Sequence, residues 1–131
     1  MALTLAEANR IIQGAIDKAR DLNIRISVAV CDAGGRLVAF NRMDGAIWAS
    51  VYGSQGKAIA SVAFGRASGE LTERAASPII QGIMAAEGGH MIPSQGGVPI
   101  IRNGVAEGGC GVGGGTSKED EDCAIAAVAK L

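Results

Sequence analysis

Apolar residues recur at helical spacing from the start of the chain: Leu5, Ala8, Ile11, Ile12, Ala15, Ile16, Ala19 and Leu22. Glu7, Arg10, Asp17 and Arg20 fill the other side. Thr4-Leu5-Ala6-Glu7 reads as a capping box, so a helix is predicted over 5–22. The period then changes. Over 25–31 (RISVAVC) Ile26, Val28 and Val30 alternate with smaller residues, which predicts a strand. Asp32-Ala33-Gly34-Gly35 is a turn, and 36–42 (RLVAFNR) pairs back as the second strand of a hairpin. Met43-Asp44-Gly45 ends that pair. A second helix is expected from Ile47 to Ala63, burying Ile47, Val51, Ala58, Ile59 and Val62. Residues 64–69 read as a loop and Leu71–Ala76 as a short helix. Ser77-Pro78 then restarts a helix, with Ser at the cap and Ile79, Ile80, Ile83 and Met84 as its apolar side, until Gly88-Gly89 stops it.

The pattern from Gly96 to Asp122 is the most distinctive. Asn103-Gly104 sits between Val98–Ile101 and an apolar run from Val105, a strong signal for a hairpin with a type I′ turn. Glycines at 108, 109, 111, 113, 114 and 115 follow. A strand so short of side chains twists sharply or passes close to a ligand or another backbone. Thr116 and Ser117 are N-cap residues for a last helix over 118–130, with Glu119 and Asp120 three positions behind them. Gly109-Cys110-Gly111-Val112-Gly113-Gly114 matches G-x-G-x-x-G in form. A dinucleotide site also needs an acid about 20 residues on, after another strand, whereas the sequence stops at Leu131. The acids at 119–122 would repel a pyrophosphate at that helix start, so nucleotide binding is set aside.

The predicted order is α-ββ-α-α-ββ-α: a single α/β domain over 1–131, of the α+β type, with one mostly antiparallel sheet covered by helices. Composition narrows the functions open to it. A net charge of −1 without basic runs excludes a nucleic-acid footprint. No apolar run reaches membrane-spanning length, and the N-terminus lacks the apolar core of a signal peptide, so a cytoplasmic protein is expected. Three cysteines (Cys31, Cys110 and Cys123) without a C-x-x-C pair imply reduced thiols rather than a disulfide framework or zinc site. Aromatics are only 3% of residues, so the core must be built from Ala, Val, Ile and Leu. Ala- and Gly-rich helical faces point to tight packing and to a homo-oligomer.

Five short motifs carry a resemblance: Asp32-Ala-Gly-Gly35, Arg42-Met-Asp-Gly45, Gly56-Lys57-Ala58, Gly96-Gly-Val-Pro-Ile100 and Gly111-Val-Gly-Gly-Gly-Thr-Ser-Lys-Glu-Asp-Glu121. In this order and spacing they resemble the GlcG/HbpS family, the haem-degrading domain family that includes the C-terminal domain of PduO-type corrinoid adenosyltransferases. The resemblance runs from Thr4 to the last helix. It implies an antiparallel α/β domain in oligomers from dimers up to octamers, haem binding in some members, and redox sensing or iron handling in secreted ones. Other members belong to small-molecule catabolic pathways. The adenosyltransferase activity of the PduO type is not implied, because it belongs to a different domain.

Against that background several side chains are candidates. His90, the only histidine, suits a haem axial ligand or a general base, or else is a solvent-facing loop residue. Arg42 and Asp44 flank a strand end, where a guanidinium would clamp a carboxylate or haem propionate, or where the pair would fix the turn at 43–45. Lys57, Arg66 and Arg102 are further partners for an anionic ligand, although a snorkelling surface lysine is the commoner outcome for Lys57. Cys110, amid glycines, is a possible thiolate ligand or nucleophile; a buried structural thiol is the default for it and for Cys31. Cys123 beside acids should be unreactive. Consecutive acids at 119–122 point in different directions on a helix and so do not converge on a metal; they read as a solvated helix start. Two functions follow. The first is an oligomeric binder of haem or a related flat anionic ligand. The second is a small catabolic enzyme in which Arg42 or Lys57 anchors a carboxylate-bearing substrate and His90 or Asp44 moves a proton.

Overall fold

The computed structural model describes residues 2–131. Helix α1 (Leu5–Asp21) leads into a hairpin of β1 (Ser27–Asp32) and β2 (Leu37–Arg42), then α2 (Ala49–Phe64). A 3₁₀ helix (Ser68–Arg74) and α3 (Pro78–Ala86) precede the second hairpin, β3 (Gly97–Arg102) and β4 (Val105–Gly113), and α4 (Ser117–Val128) ends the fold. The four strands form one antiparallel sheet in the order β2-β1-β4-β3. The predicted order α-ββ-α-α-ββ-α is therefore found, with the region expected as a loop over 64–69 and a helix over 71–76 forming instead a 3₁₀ helix from Ser68.

Local chemistry explains the ends of the elements. The Thr4 hydroxyl accepts from the Glu7 N–H while the Glu7 carboxylate accepts from the Thr4 N–H. Thr116 and Glu119 repeat the arrangement at α4, so Thr116 is the cap and Ser117 already lies in the helix. Ser77 stands at the N-cap with Pro78 in the first turn, as expected, but its side chain makes no capping hydrogen bond and its buried Oγ finds no partner. Asn103 and Gly104 both take positive φ, 52° and 76°, as the hairpin turn requires.

The sheet has two unlike faces. Val28, Val30, Cys110 and Val112 point toward α1 and α4, where Ile11, Ile12, Ala15, Ala19, Cys123, Ala124 and Ala127 complete the main core. Gly109, Gly111 and Gly113 point the other way, toward α2. A Cβ at Gly109 would stand 2.3 Å from the Ala58 carbonyl oxygen, and one at Gly111 would stand 1.9 Å from that of Ser54. The glycine-rich strand thus lies against the backbone of a helix rather than against a ligand. The helix meets it with Ser50, Ser54, Ala58 and Ser61, all buried. Hydroxyls of that row bond back to carbonyls of their own helix, as Ser54 does to Val51 and Ser61 to Ala58. The expected apolar side of α2 is corrected accordingly. Ala58 and Val62 are buried, but Ile47 is 63% exposed, because small residues allow the close approach and larger ones are turned outward.

Candidate functional site

Where α2 leaves the sheet, a hollow of about 700 Å³ opens. That is within the range of roughly 300–1,000 Å³ common for small-molecule sites. Ala29 and Cys31 of β1 and Ala58 of α2 form its floor. Gly35, Arg36 and Leu37, at the tip of the first hairpin, make one rim; Tyr52, Gln55 and Ile59 of α2 make a wall. The end of α3 and the loop after it, Ala86 to His90, with Ile92, make the other rim. Leu37 and Tyr52 are 51% and 68% exposed, and Phe40 packs beneath against Ala29, Cys31, Ala58 and Val62.

Polar groups sit at the mouth. His90 is exposed and follows Gly88 and Gly89, whose positive φ values of 66° and 80° turn the chain sharply out of α3. Arg36 donates from Nη1 to the Gly34 carbonyl and lies 4.0 Å from a Glu87 carboxylate oxygen, which brings the hairpin tip to the end of α3. Asp32 shapes that tip by accepting from the Gly34 and Arg36 N–H groups at 2.9 Å. At the floor, burial pushes the Cys31 thiol up to about 12, so it stays neutral.

The other sequence candidates fall elsewhere. Arg42 and Asp44 line a second hollow of about 480 Å³ between the end of α1 and the first hairpin, apart from His90. Arg42 does help to fix the turn after β2, but through the Ala46 carbonyl, which accepts from its Nε and Nη2 at 3.2 and 2.8 Å. Lys57 is neither a surface lysine nor at either hollow. Its Nζ donates to the Val112 carbonyl at 3.0 Å and to the Asp120 carboxylate at 3.1 Å, with side chains 12% and 4% exposed. The acids at 119–122 are therefore not all solvated, since Asp120 is buried and also accepts from the Gly115 N–H. Desolvation raises the Asp120 pKa, and the charge of Lys57 opposes that rise. Cys110 sits fully buried in the main core, on the opposite face of the sheet from the hollow, and burial pushes its thiol up. That removes the geometry a nucleophile or thiolate ligand would need. Cys123 is pushed up to about 11 by burial and then by Asp120. Arg102 is held by Glu7 and Glu107 and is not free for a ligand. Among the described residues no three His, Cys, Asp or Glu side chains form a metal site, and no helix is long and apolar enough to cross a membrane.

Arg36 and Gln55 were not legible as site residues. Arg36 follows a recognisable turn, yet only tertiary packing brings that turn to the end of α3.

A haem-type group asks for an apolar slot, an axial donor and a cation for its carboxylates. Leu37, Tyr52, Ile59 and Ile92, with His90 and Arg36 at the mouth, meet those demands. The family described as "Haem degrading protein HbpS-like" matches residues 3–129. An uncharacterized 15.0 kDa protein from the dhaT-dhaS intergenic region of Citrobacter freundii is 32% identical over 120 residues, covering 90% of this chain and 84% of that one. The corrinoid adenosyltransferase PduO of the same organism is 29% identical over 133 residues, but the matched part is only 39% of its length. The crystal structure of a PduOC:heme complex superposes with a TM-score of 0.89 at 28% identity, over 100% of this chain and 96% of that one.

Proposed function

The chain belongs to the HbpS-like family of haem-degrading proteins, and from that premise we propose that it binds haem, or a related flat anionic ligand, in the hollow beside α2. The observation that carries the reading is that one imidazole, His90, and one guanidinium, Arg36, both line a hollow that also has Leu37, Tyr52, Ile59 and Ile92 in its wall. His90 offers a ring nitrogen to iron, and Arg36 offers a planar pair of N–H donors to a carboxylate. Tyr52 and Leu37 supply flat and aliphatic surface, and the neutral Cys31 thiol keeps the floor apolar. When bound, haem would supply an iron centre for one-electron chemistry. The chain's own part would be to hold the group: His90 would give a ring nitrogen to iron, Arg36 would bind a carboxylate, and Leu37, Tyr52, Ile59 and Ile92 would give it apolar surface. Relatives with haem, as in the PduOC:heme complex, support the ligand class.

The same reading includes a cytoplasmic homo-oligomer, from a dimer up to an octamer. The exposed apolar side chains Ile47, Trp48 and Ile79 and the three unpaired cysteines support it.

Haemin titration followed by absorbance tests the site. A saturable Soret shift is expected, with loss of the axial-ligand signature in His90→Ala and about tenfold weaker binding in Arg36→Gln, the scale of one charge-assisted hydrogen bond. Trp48, the only tryptophan, makes an edge-to-face contact with Tyr52 and gives a second readout through quenching. Non-saturating shifts that are identical in all three proteins would reject the assignment.

A further inference from the structure

The second hollow has its own chemistry. Arg20 from the last turn of α1, Arg25 just before β1 and Arg42 at the end of β2 all line it, together with Asn23 and Asn41. Three of the chain's twelve basic residues thus gather at one cavity of about 480 Å³, in a protein whose net charge is −1. Asp44 is the single acid in the lining. Two of the guanidiniums are preset by the backbone. Arg25 donates from Nη1 to the Asp44 carbonyl at 3.3 Å, and Arg42 holds the Ala46 carbonyl through Nε and Nη2, leaving the Nη1 edge available. Arg20 has only a loose partner, Asp17 at 3.8 Å, with both side chains more than half exposed.

The end of a helix normally repels anions through its open carbonyls. Here the carbonyls of Lys18, Ala19 and Arg20 already accept from the N–H groups of Leu22, Ile24 and Asn23. Asn23 makes this closure possible by taking φ 56°. What remains at the hollow is the positive charge of three guanidiniums, set against the single Asp44 carboxylate, over an apolar backing of Ile16, Ile24 and Met43.

We propose that this hollow is an oxyanion site for a compact polyanion, a small polycarboxylate or a phosphate, separate from the haem hollow. The two share no lining residue, so the proposal stands whether or not haem binds. Three guanidiniums lining one hollow from three segments suit a ligand with several oxygens, where a single carboxylate would leave donors unmatched.

The test is a calorimetric titration with citrate and, separately, inorganic pyrophosphate, each against sodium chloride at matched ionic strength. Saturable binding is expected, and the stronger of the two probes identifies the polycarboxylate or the phosphate source. Arg20→Gln, whose side chain makes only an exposed pair, should weaken binding about tenfold without changing the thermal midpoint. Asp44→Asn removes the one acid in the lining and should tighten binding severalfold, a gain that partial unfolding cannot mimic. No heat beyond the chloride control for either probe, or binding left unchanged by both substitutions, would overturn the proposal.

Discussion

A methyl group at position 111 would lie 1.9 Å from the Ser54 carbonyl oxygen, with backbone rather than a flexible side chain in the way. Gly111→Ala must therefore lift α2 from the sheet, and a loss of about 3 kcal/mol or more in urea-unfolding stability is expected, beyond ordinary overpacking. Gly82 is the contrast. It sits inside α3 with nothing within 4 Å of an added Cβ, so Gly82→Ala should stabilise by roughly 0.5–1 kcal/mol. The sequence shows both glycines equally well, and composition alone cannot separate them. What separates them is the neighbour across the gap. The same is true of Lys57, which reads as a surface lysine from its local context. Gly96 and Gly97 let β3 close over it, so it becomes the cation of a buried pair.

At the scale of elements, the features read directly from the chain are those built by neighbours in sequence. Both capping boxes and the Asn103-Gly104 turn are of this kind, each closed within four residues. Features made by distant segments were hidden, and the tie between α1, β3 and β4 is one. Arg102 reaches Glu7 at the start of α1 and Glu107 in β4. Hydrogen bonding from Arg102 and the Thr4 backbone lowers the Glu7 pKa to about 2. A carboxylate held below its unfolded value, near 4.3, stabilises the fold above that value and ceases to do so as pH falls toward the folded one. Between about pH 4.5 and 2 the native chain should thus lose stability more steeply than Glu7→Gln. Denaturant midpoints measured across that window check it; parallel curves would show that the tie to Arg102 does not hold Glu7 ionised.

The whole molecule sets a helix pair against one face of the sheet and a single helix against part of the other, and the hollow lies where that second layer stops. Its ligand reading could not be built from the candidates the chain offers in isolation, because Arg42, Lys57, His90 and Cys110 end in four different environments. The chemistry at the mouth depends on two loops meeting. Glu87 lies 4.0 Å from Arg36 across that meeting point, where an anionic ligand would compete with it. Glu87→Gln should tighten haemin binding, by no more than about fivefold since exposed ion pairs are worth up to about 1 kcal/mol. Weaker binding in the variant would show that Glu87 holds Arg36 in its working position.

The two sides of α2 differ in what they permit. Toward β4 the helix touches main chain, and backbone cannot be trimmed to make room for a larger neighbour. Toward the hollow it presents side chains rather than main chain, Tyr52 and Ile59 among them. A library varying every position should thus be barren at 109 and 111 and rich at 36, 37, 52 and 59. The scaffold separates the part that must stay from the part that can be rewritten, and new pocket chemistries can be tried on it without renegotiating the fold.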